Sequence, residues 1–223
     1  MKRRDFIVGV GILTAAAGIN QAAAKGGILT PPQTEGPFFP VGNILESDAD
    51  MTKVAGGNGK AIGQEIVVVG RVLDVSGKPL PNAKIDVWQA CHTGRYQHPG
   101  DPNTAVALDP KFQYYCALRT DKLGRYRFRT IKPGAYPATR SWMRPPHIHL
   151  KVSRSGYQDL TTQMYFDGDS LNRKDSILQA IPAAQRELVL VKFQPVKNTL
   201  TGHFDIFLGS SRQAMRHSTP FLP

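Results

Sequence analysis

Short β-branched runs, separated by turns rich in proline and glycine, are the feature that most constrains the fold of this chain. Residues 65–74 form a long run of this kind, and the turn at residues 76–81 leads into a second run at residues 83–90. The 17 prolines and 21 glycines among the 223 residues leave few segments that could form a long helix. We therefore expect an all-β protein built from short strands.

Strict alternation of side chains strengthens this expectation. In residues 125–130, Tyr126 and Phe128 alternate with three arginines, which predicts a strand with one buried and one solvated face. Residues 147–153 alternate in the same way, with further strands expected at residues 160–166, 188–193 and 203–208. One short helix is expected within residues 176–188. About seven strands joined by turns are typical of a β-sandwich. We predict a two-sheet β-sandwich in which long loops carry the functional site.

Three segments are distinguished along the chain. Residues 1–24 combine Arg3 and Arg4, an apolar stretch and a run of small residues, which is typical of a twin-arginine signal peptide. An ordinary secretory signal is the alternative. Either predicts a periplasmic or secreted protein, and the apolar stretch is too short to anchor the mature form in a membrane. Residues 25–60 are expected to form an irregular Pro/Gly-rich arm, and residues 61–223 the β-sandwich domain.

The formal charge of +11 is compatible with nucleic acid, an anionic surface or anionic small molecules as partners. No helix-turn-helix, RNA-binding or zinc-finger motif is present, so we do not expect nucleic-acid binding. Cys91 and Cys116 could form one disulfide bond or remain two buried thiols, and sequence leaves both open. Their spacing is not that of a thiol redox or cysteine–zinc motif.

Two histidines and two tyrosines are the candidate metal ligands. His147 and His149 share one face of a predicted strand, with Cα atoms roughly 6.5–7 Å apart, and paired imidazoles suit a transition metal. Tyr96 and Tyr136 would add phenolates, which bind at neutral pH only when the metal is acidic enough to remove the phenol proton. Ferric iron does this more readily than zinc or copper(I). Taken singly, each residue also fits a packing role or a polar outer face.

Four ordered blocks give these residues a context. They are residues 86–98 (DVWQACHTGRYQH), 129–137 (RTIKPGAYP), 142–150 (WMRPPHIHL) and 163–168 (QMYFDG). Together they closely resemble the intradiol ring-cleavage dioxygenases, of which the protocatechuate 3,4-dioxygenase type is nearest. The resemblance implies a non-haem Fe(III) held by Tyr96, Tyr136, His147 and His149. It also implies that the Tyr136 phenolate leaves the metal when substrate binds.

The same resemblance places Arg144 and Gln163 at the substrate site. It implies cleavage of a catechol by O₂ to a cis,cis-muconate-type diacid, with Arg144 stabilising negative charge on the ring. Ala138 stands where the family type carries a tryptophan, and the segment between Tyr136 and His147 is shorter. We therefore expect a reshaped pocket that could admit a bulkier catechol than protocatechuate. A homo-oligomer is expected, since the protocatechuate enzymes assemble from related chains.

Two other classes remain open from the sequence. Residues 70–83 resemble hairpins of adhesion and transthyretin-like domains, so a non-catalytic extracellular binding module is the main alternative. A zinc or copper enzyme built on the two histidines is the second. Neither class gives the two tyrosines and Arg144 a role.

Overall fold

Strands dominate the computed structural model, which describes residues 27–42 and 48–211. The predicted signal peptide, residues 1–24, lies outside the described residues. The strands are β1 Glu65–Asp74, β2 Lys84–Trp88, β3 Tyr115–Arg119, β4 Arg125–Ile131, β5 Tyr136–Pro137, β6 Met143–Arg144, β7 His147–Ser153, β8 Leu160–Phe166, β9 Leu190–Val191, β10 Phe193–Val196, β11 Thr199–His203 and β12 Ile206–Leu208. A 3₁₀ helix spans Ser170–Lys174, and two short helices follow, α1 Ser176–Gln179 and α2 Ala183–Arg186.

Two five-stranded sheets and one small hairpin organise these strands, as expected for a β-sandwich. In the first sheet β1 is central: it pairs with β4 on one side and with β11 and β12 on the other, and β10 extends the sheet beyond β11. The second sheet has the order β3-β2-β7-β8-β9. One core joins the inner faces, with Val68 and Phe128 from the first sheet and Val87, Ile148 and Leu150 from the second. The predicted two-sheet fold is confirmed.

The outer face of the second sheet is covered rather than exposed. On β7, Ile148 and Leu150 enter the core, while His147 and His149 point to the opposite face and are also buried. Over this face, Tyr96 of the loop after β2, Tyr136 of the β5–β6 hairpin, and Phe38 and Phe39 of the N-terminal arm pack together with Trp88. The functional residues therefore sit between a rigid sheet and its covering loops.

The N-terminal arm contains no strand between residues 27 and 42, in agreement with the predicted irregular arm. It is nonetheless held firmly by hydrogen bonds. The Gln33 amide donates to the Thr161 carbonyl at 2.8 Å, and the Thr162 hydroxyl donates to the Pro31 carbonyl at 2.9 Å. Thr30 joins the arm to the first sheet, because its hydroxyl accepts from the Phe207 amide at 2.9 Å. The arm thus belongs to the packed structure.

The structure corrects several element boundaries. The single helix expected within residues 176–188 is wrong: α1 and α2 are separate, and Pro182, which lacks an amide hydrogen, stands between them. The strand expected at 203–208 is interrupted at Phe204 and Asp205. Strand β3 was not predicted, because its mixture of polar and apolar residues shows no clean alternation. Cys91 and Cys116 are both free and buried.

No helix in the described part of the chain is both long and apolar enough to cross a membrane.

Candidate metal centre and active site

The two histidines are fixed by the hydrogen-bond register of three adjacent strands. His149 lies opposite Trp88 on β2 and Gln163 on β8, and His147 lies opposite Tyr165. Strand alternation directs all five of these side chains to the same face of the sheet. The floor of the candidate site, meaning the base formed by these five side chains, therefore belongs to three hydrogen-bonded strands. Their pairing leaves the two imidazoles little freedom to move.

The two tyrosines approach this floor from the covering segments. Tyr96 comes from the loop that follows β2, and Tyr136 comes from β5 of the small hairpin. Their rings meet edge to face, with centroids 5.5 Å apart at an interplanar angle of 89°. The Tyr136 ring centroid lies 5.7 Å from that of His147. The four side chains predicted as ligands are thus brought together in one cluster.

The ring nitrogens and phenol oxygens of this cluster converge closely. His147 Nε2 lies 3.2 Å from His149 Nε2 and 3.5 Å from the Tyr96 hydroxyl. His147 Nδ1 donates to the Pro145 carbonyl at 2.7 Å, since a carbonyl can only accept, and this leaves the lone pair of neutral His147 on Nε2. Imidazole nitrogens bound to one first-row metal at about 2.1 Å lie roughly 3 Å apart. The observed spacing fits a shared metal ion.

His149 is oriented differently from His147. Its Nδ1 is buried and finds no hydrogen-bond partner among the described residues. The Trp88 indole instead stacks on the imidazole, with centroids 4.7 Å apart and planes 12° from parallel. Trp88 pairs with His149 in the sheet, so the stacking of its indole sets the direction of His149 Nε2.

Burial shapes the protonation of all four side chains. It lowers the pKa of His147 well below the usual value and lowers the pKa of His149 to about 3, with the nearby Arg144 cation acting in the same direction. Both imidazoles are therefore neutral, the form that binds metals. Burial raises the pKa of the Tyr96 and Tyr136 phenols, although the Arg144 guanidinium opposes this at both. Ionising these phenols would require a stronger cation at the centre of the cluster.

Arg144 lies at the edge of the cluster and is only 4% exposed. It pairs with Tyr136 across the β5–β6 hairpin. Its Nη2 donates to Gln163 Oε1 at 2.8 Å and to the Tyr165 hydroxyl at 3.1 Å, and its Nε donates to Asp175 at 2.7 Å. Both Arg144 and Gln163, predicted from sequence to line the substrate site, therefore adjoin the four candidate ligands.

The N-terminal arm supplies residues that the sequence did not identify as functional. The Phe38 ring packs against Tyr96 with centroids 4.7 Å apart, and Phe39 packs edge to face on Trp88 at 4.9 Å. Gln33 donates to the Tyr165 hydroxyl at 2.9 Å and accepts from the Gln163 amide at 2.9 Å. Two adjacent aromatic residues in a proline-rich arm were the signal that the sequence offered.

The phenols are essential to any metal site in this cluster. Within residues 27–42 and 48–211, no three His, Cys, Asp or Glu side chains come together in a metal-binding arrangement. A separate cavity of about 360 Å³ lies beside β8 and is lined by Lys132, Phe166 and Phe193 among others, but by none of the four candidate ligands. The candidate active site is thus the tyrosine–histidine cluster.

Comparison with known proteins identifies the family. A family model described as dioxygenase matches residues 34–210, which include all six predicted site residues. The protocatechuate 3,4-dioxygenase beta chain of Burkholderia cepacia is 44% identical over 181 residues, covering 77% of this chain and 76% of that protein. The chain belongs to the intradiol ring-cleavage dioxygenase family. Membership decides for an enzyme and against the binding module that the sequence left open.

Further relatives agree with this assignment. A catechol 1,2-dioxygenase of Acinetobacter lwoffii is 33% identical and covers 72% of this intradiol dioxygenase, which spans 63% of that protein. Among solved structures, the 3-chlorocatechol 1,2-dioxygenase of Rhodococcus opacus 1CP superposes with a TM-score of 0.64 at 25% identity, over 81% of this chain and 72% of that one. A dioxygenase domain from Streptomyces sp. SirexAA-E gives a TM-score of 0.62 at 28% identity, over 82% and 100%. This intradiol dioxygenase therefore shares its fold with dioxygenases of known structure.

Proposed function

We propose that this intradiol dioxygenase uses a single non-haem Fe(III) to cleave a catechol between its two hydroxyl-bearing carbons. Both atoms of O₂ enter the product, a cis,cis-muconate-type diacid. The observation that carries the proposal is the convergence of two buried phenols and two neutral imidazoles, with His147 and His149 Nε2 only 3.2 Å apart. Tyr96, Tyr136, His147 and His149 would hold the iron.

The chemistry of the donor set favours iron in its ferric state. Burial raises the pKa of the Tyr96 and Tyr136 phenols, so only a strongly Lewis-acidic ion would convert them to phenolates at neutral pH. Zinc prefers imidazole, thiolate and carboxylate ligands, of which this cluster offers only two imidazoles. Bound Fe(III) would supply a Lewis-acidic centre for the two catechol oxygens and prepare the ring for reaction with O₂.

Tyr136 is proposed to act as a base as well as a ligand. Tyr136 lies on a two-residue strand of a small hairpin. This strand is less constrained than β7, whose histidines are held by pairing within the five-stranded sheet. The Tyr136 phenolate oxygen would accept a proton from the catechol. The Arg144 guanidinium works against the effect of burial on the Tyr136 pKa and so eases formation of the phenolate.

Arg144 is proposed to stabilise negative charge on the substrate ring. It is a permanent cation held beside Tyr136, and a fixed charge in a buried site stabilises developing charge without reorganisation. Gln163, which accepts from Arg144 and lies opposite His149, would line the same pocket. Both residues adjoin the four candidate ligands, which supports these roles.

The β5–β6 hairpin is proposed to set the substrate range. The Ala138 amide donates to the Trp142 carbonyl at 2.9 Å, which continues the Tyr136–Arg144 register by two residues. Alternation therefore places Ala138 and Trp142 on the face shared by Tyr136 and Arg144. The Trp142 ring lies under the Arg144 guanidinium, 5.4 Å from its carbon. Ala138 opposite Trp142 gives a pocket wall unlike that of the protocatechuate type, which carries a tryptophan at the Ala138 position. We therefore propose a substituted catechol as substrate.

Export is proposed from the N-terminal sequence, in which Arg3 and Arg4 precede an apolar stretch. A twin-arginine route carries folded proteins and so suits an enzyme with its iron already in place. Fusion of residues 1–30 to a reporter, with both arginines replaced by lysines as the control, would test this. Export of both fusions alike would contradict the twin-arginine route.

Iron content and oxygen uptake test the main proposal. Protein folded with iron should contain about one iron per chain and absorb visible light through phenolate-to-iron charge transfer. Adding a catechol without O₂ should shift the band, and admitting O₂ should consume one O₂ per catechol cleaved. A colourless protein that takes up no iron, or an iron protein inactive on every member of a catechol panel, would refute the proposal.

A further inference from the structure

Asp175 is a fully buried carboxylate whose side chain is directed at the active site. It is 0% exposed, and the Arg144 side chain that it contacts is only 4% exposed. Asp175 Oδ2 accepts from Arg144 Nε at 2.7 Å, and Oδ1 lies 3.5 Å from Nη2. A buried ion pair of this kind must recover a large desolvation cost, so its geometry matters more than that of a surface pair.

The position of Asp175 is itself fixed by local structure. It lies at the junction between the 3₁₀ helix Ser170–Lys174 and α1, where its backbone is extended. Its Oδ1 accepts from the Leu178 amide at 2.8 Å, as an N-cap does. The carboxylate is therefore held by the start of α1 and cannot follow Arg144 if the guanidinium turns.

All hydrogen bonds that the described residues accept from Arg144 use one edge of its guanidinium. Nε and Nη2 are bound by Asp175, and Nη2 also donates to Gln163 Oε1 and to the Tyr165 hydroxyl. Gln33 of the arm donates to the same tyrosine hydroxyl at 2.9 Å. The remaining nitrogen, Nη1, takes no part in these bonds, and the guanidinium lies close enough to Tyr136 to act on the pKa of its phenol.

We propose that Asp175 is a positioning residue for ring cleavage: it holds Arg144 by its Nε edge and so presents Nη1 to the bound catechol. The inference rests on the proposed function, because it takes Arg144 to act on the substrate ring. Asp175 itself touches neither the candidate ligands nor the pocket. It acts by fixing where a cation stands when negative charge develops.

The Asp175→Asn variant tests this. Asparagine keeps the size of the side chain and an oxygen that can cap α1, but it removes the charge that holds the guanidinium. A small misplacement of a group at the reacting atoms can lower the rate by up to about 100-fold. We expect kcat to fall within that range with little change in KM. Iron content and the visible band should stay unchanged, because all four ligands are intact.

Asp205→Asn is the matched control. It breaks another ion pair between an aspartate and an arginine, Asp205 with Arg71 at 2.9 Å, on the opposite sheet. We expect this control to lower stability slightly and leave kcat as in the wild type. A control that loses as much kcat as Asp175→Asn would show that any lost ion pair has the effect, and would overturn the proposal.

A double-mutant cycle with Arg144→Ala decides whether Asp175 acts through Arg144, with rates measured as single turnovers of bound catechol. If it does, adding Asp175→Asn to Arg144→Ala should change the rate little. An equal fold loss in both backgrounds, or wild-type kcat in Asp175→Asn, would refute the inference.

Should Asp175→Asn fail to fold, Tyr165→Phe removes another acceptor of Nη2 and should give a smaller loss by the same test. An inactive wild type would instead refute the proposed function.

Discussion

Replacing Gly134 by alanine should loosen the proposed iron site without changing any of the four proposed ligands. Gly134 lies two residues before Tyr136, and its amide donates to the Cys91 carbonyl at 2.9 Å in the segment that leads to Tyr96. A methyl group at Gly134 would stand 2.4 Å from the His92 carbonyl oxygen and 2.5 Å from the Gly94 nitrogen. Both neighbours are backbone atoms, so no side chain can turn aside.

The required movement can be read from these contacts. The two segments must part by about 0.6 Å to reach even 3.0 Å, a spacing still tighter than ordinary contact. Metal–ligand distances tolerate only about 0.2 Å. We therefore expect iron content and visible absorbance to fall severalfold, and kcat per chain by about 100-fold, the usual effect of a misplacement near 1 Å. Unfolding free energy should drop by about 1–3 kcal/mol through overpacking.

Iron analysis, the visible spectrum and thermal unfolding measure these effects. Gly100→Ala is the control in the loop that carries Tyr96, since its new methyl group would meet only the movable His98 ring, at 3.1 Å. This control should keep its iron and its activity. Full iron occupancy and wild-type kcat in Gly134→Ala would refute the idea that crossing of these two segments sets the Tyr96–Tyr136 geometry.

Four further outcomes are expected. Tyr136→Phe should lower kcat by about 100-fold or more, because it removes a proton acceptor, and should weaken the visible band; wild-type turnover would exclude Tyr136 as a base. His149→Ala should weaken iron binding more than tenfold, measured by competition with a chelator. The unfolding free energy of the metal-free protein should fall as pH drops from about 6.5 towards 3. The pKa of His149 is about 3 in the folded protein, so over this range the unfolded chain binds a proton that the folded chain does not. His149→Ala should make the unfolding free energy less dependent on pH. Trp142→Ala should raise kcat/KM for bulky catechols relative to catechol by about tenfold, and an unchanged ratio would remove Trp142 from the pocket wall.

Much of the fold could be predicted, because apolar and polar residues alternate along several of its strands. Strand β7 begins at His147 and β8 at Leu160, as the alternation indicated. The site residues were predictable for a different reason: they occur as four ordered blocks that match a family. The structure brings these residues into one cluster, while their roles as ligands and bases stay predictions until the iron is measured.

What escaped prediction depends on contacts between distant segments. In sequence Asp175 resembles an ordinary helix cap, and only the packing of the 3₁₀ helix Ser170–Lys174 against β6 brings it to Arg144, 31 residues away. Gln33 meets Gln163 across 130 residues of sequence, and no local pattern records such a pair. Strand β3 is similar, since its pairing with β2 decides its conformation more than its own composition does.

Strand β7 carries the two histidines proposed as metal ligands on one side and core residues on the other, in strict alternation. Ile148 and Leu150 fill the space between the sheets, so any change in their volume is transmitted through a single backbone to His147 and His149. With iron bound as proposed, mutations selected only for thermal stability in this core would also shift the visible absorption band. The visible band of such variants would therefore report how core packing affects the positions of the two histidines, which calorimetry does not measure.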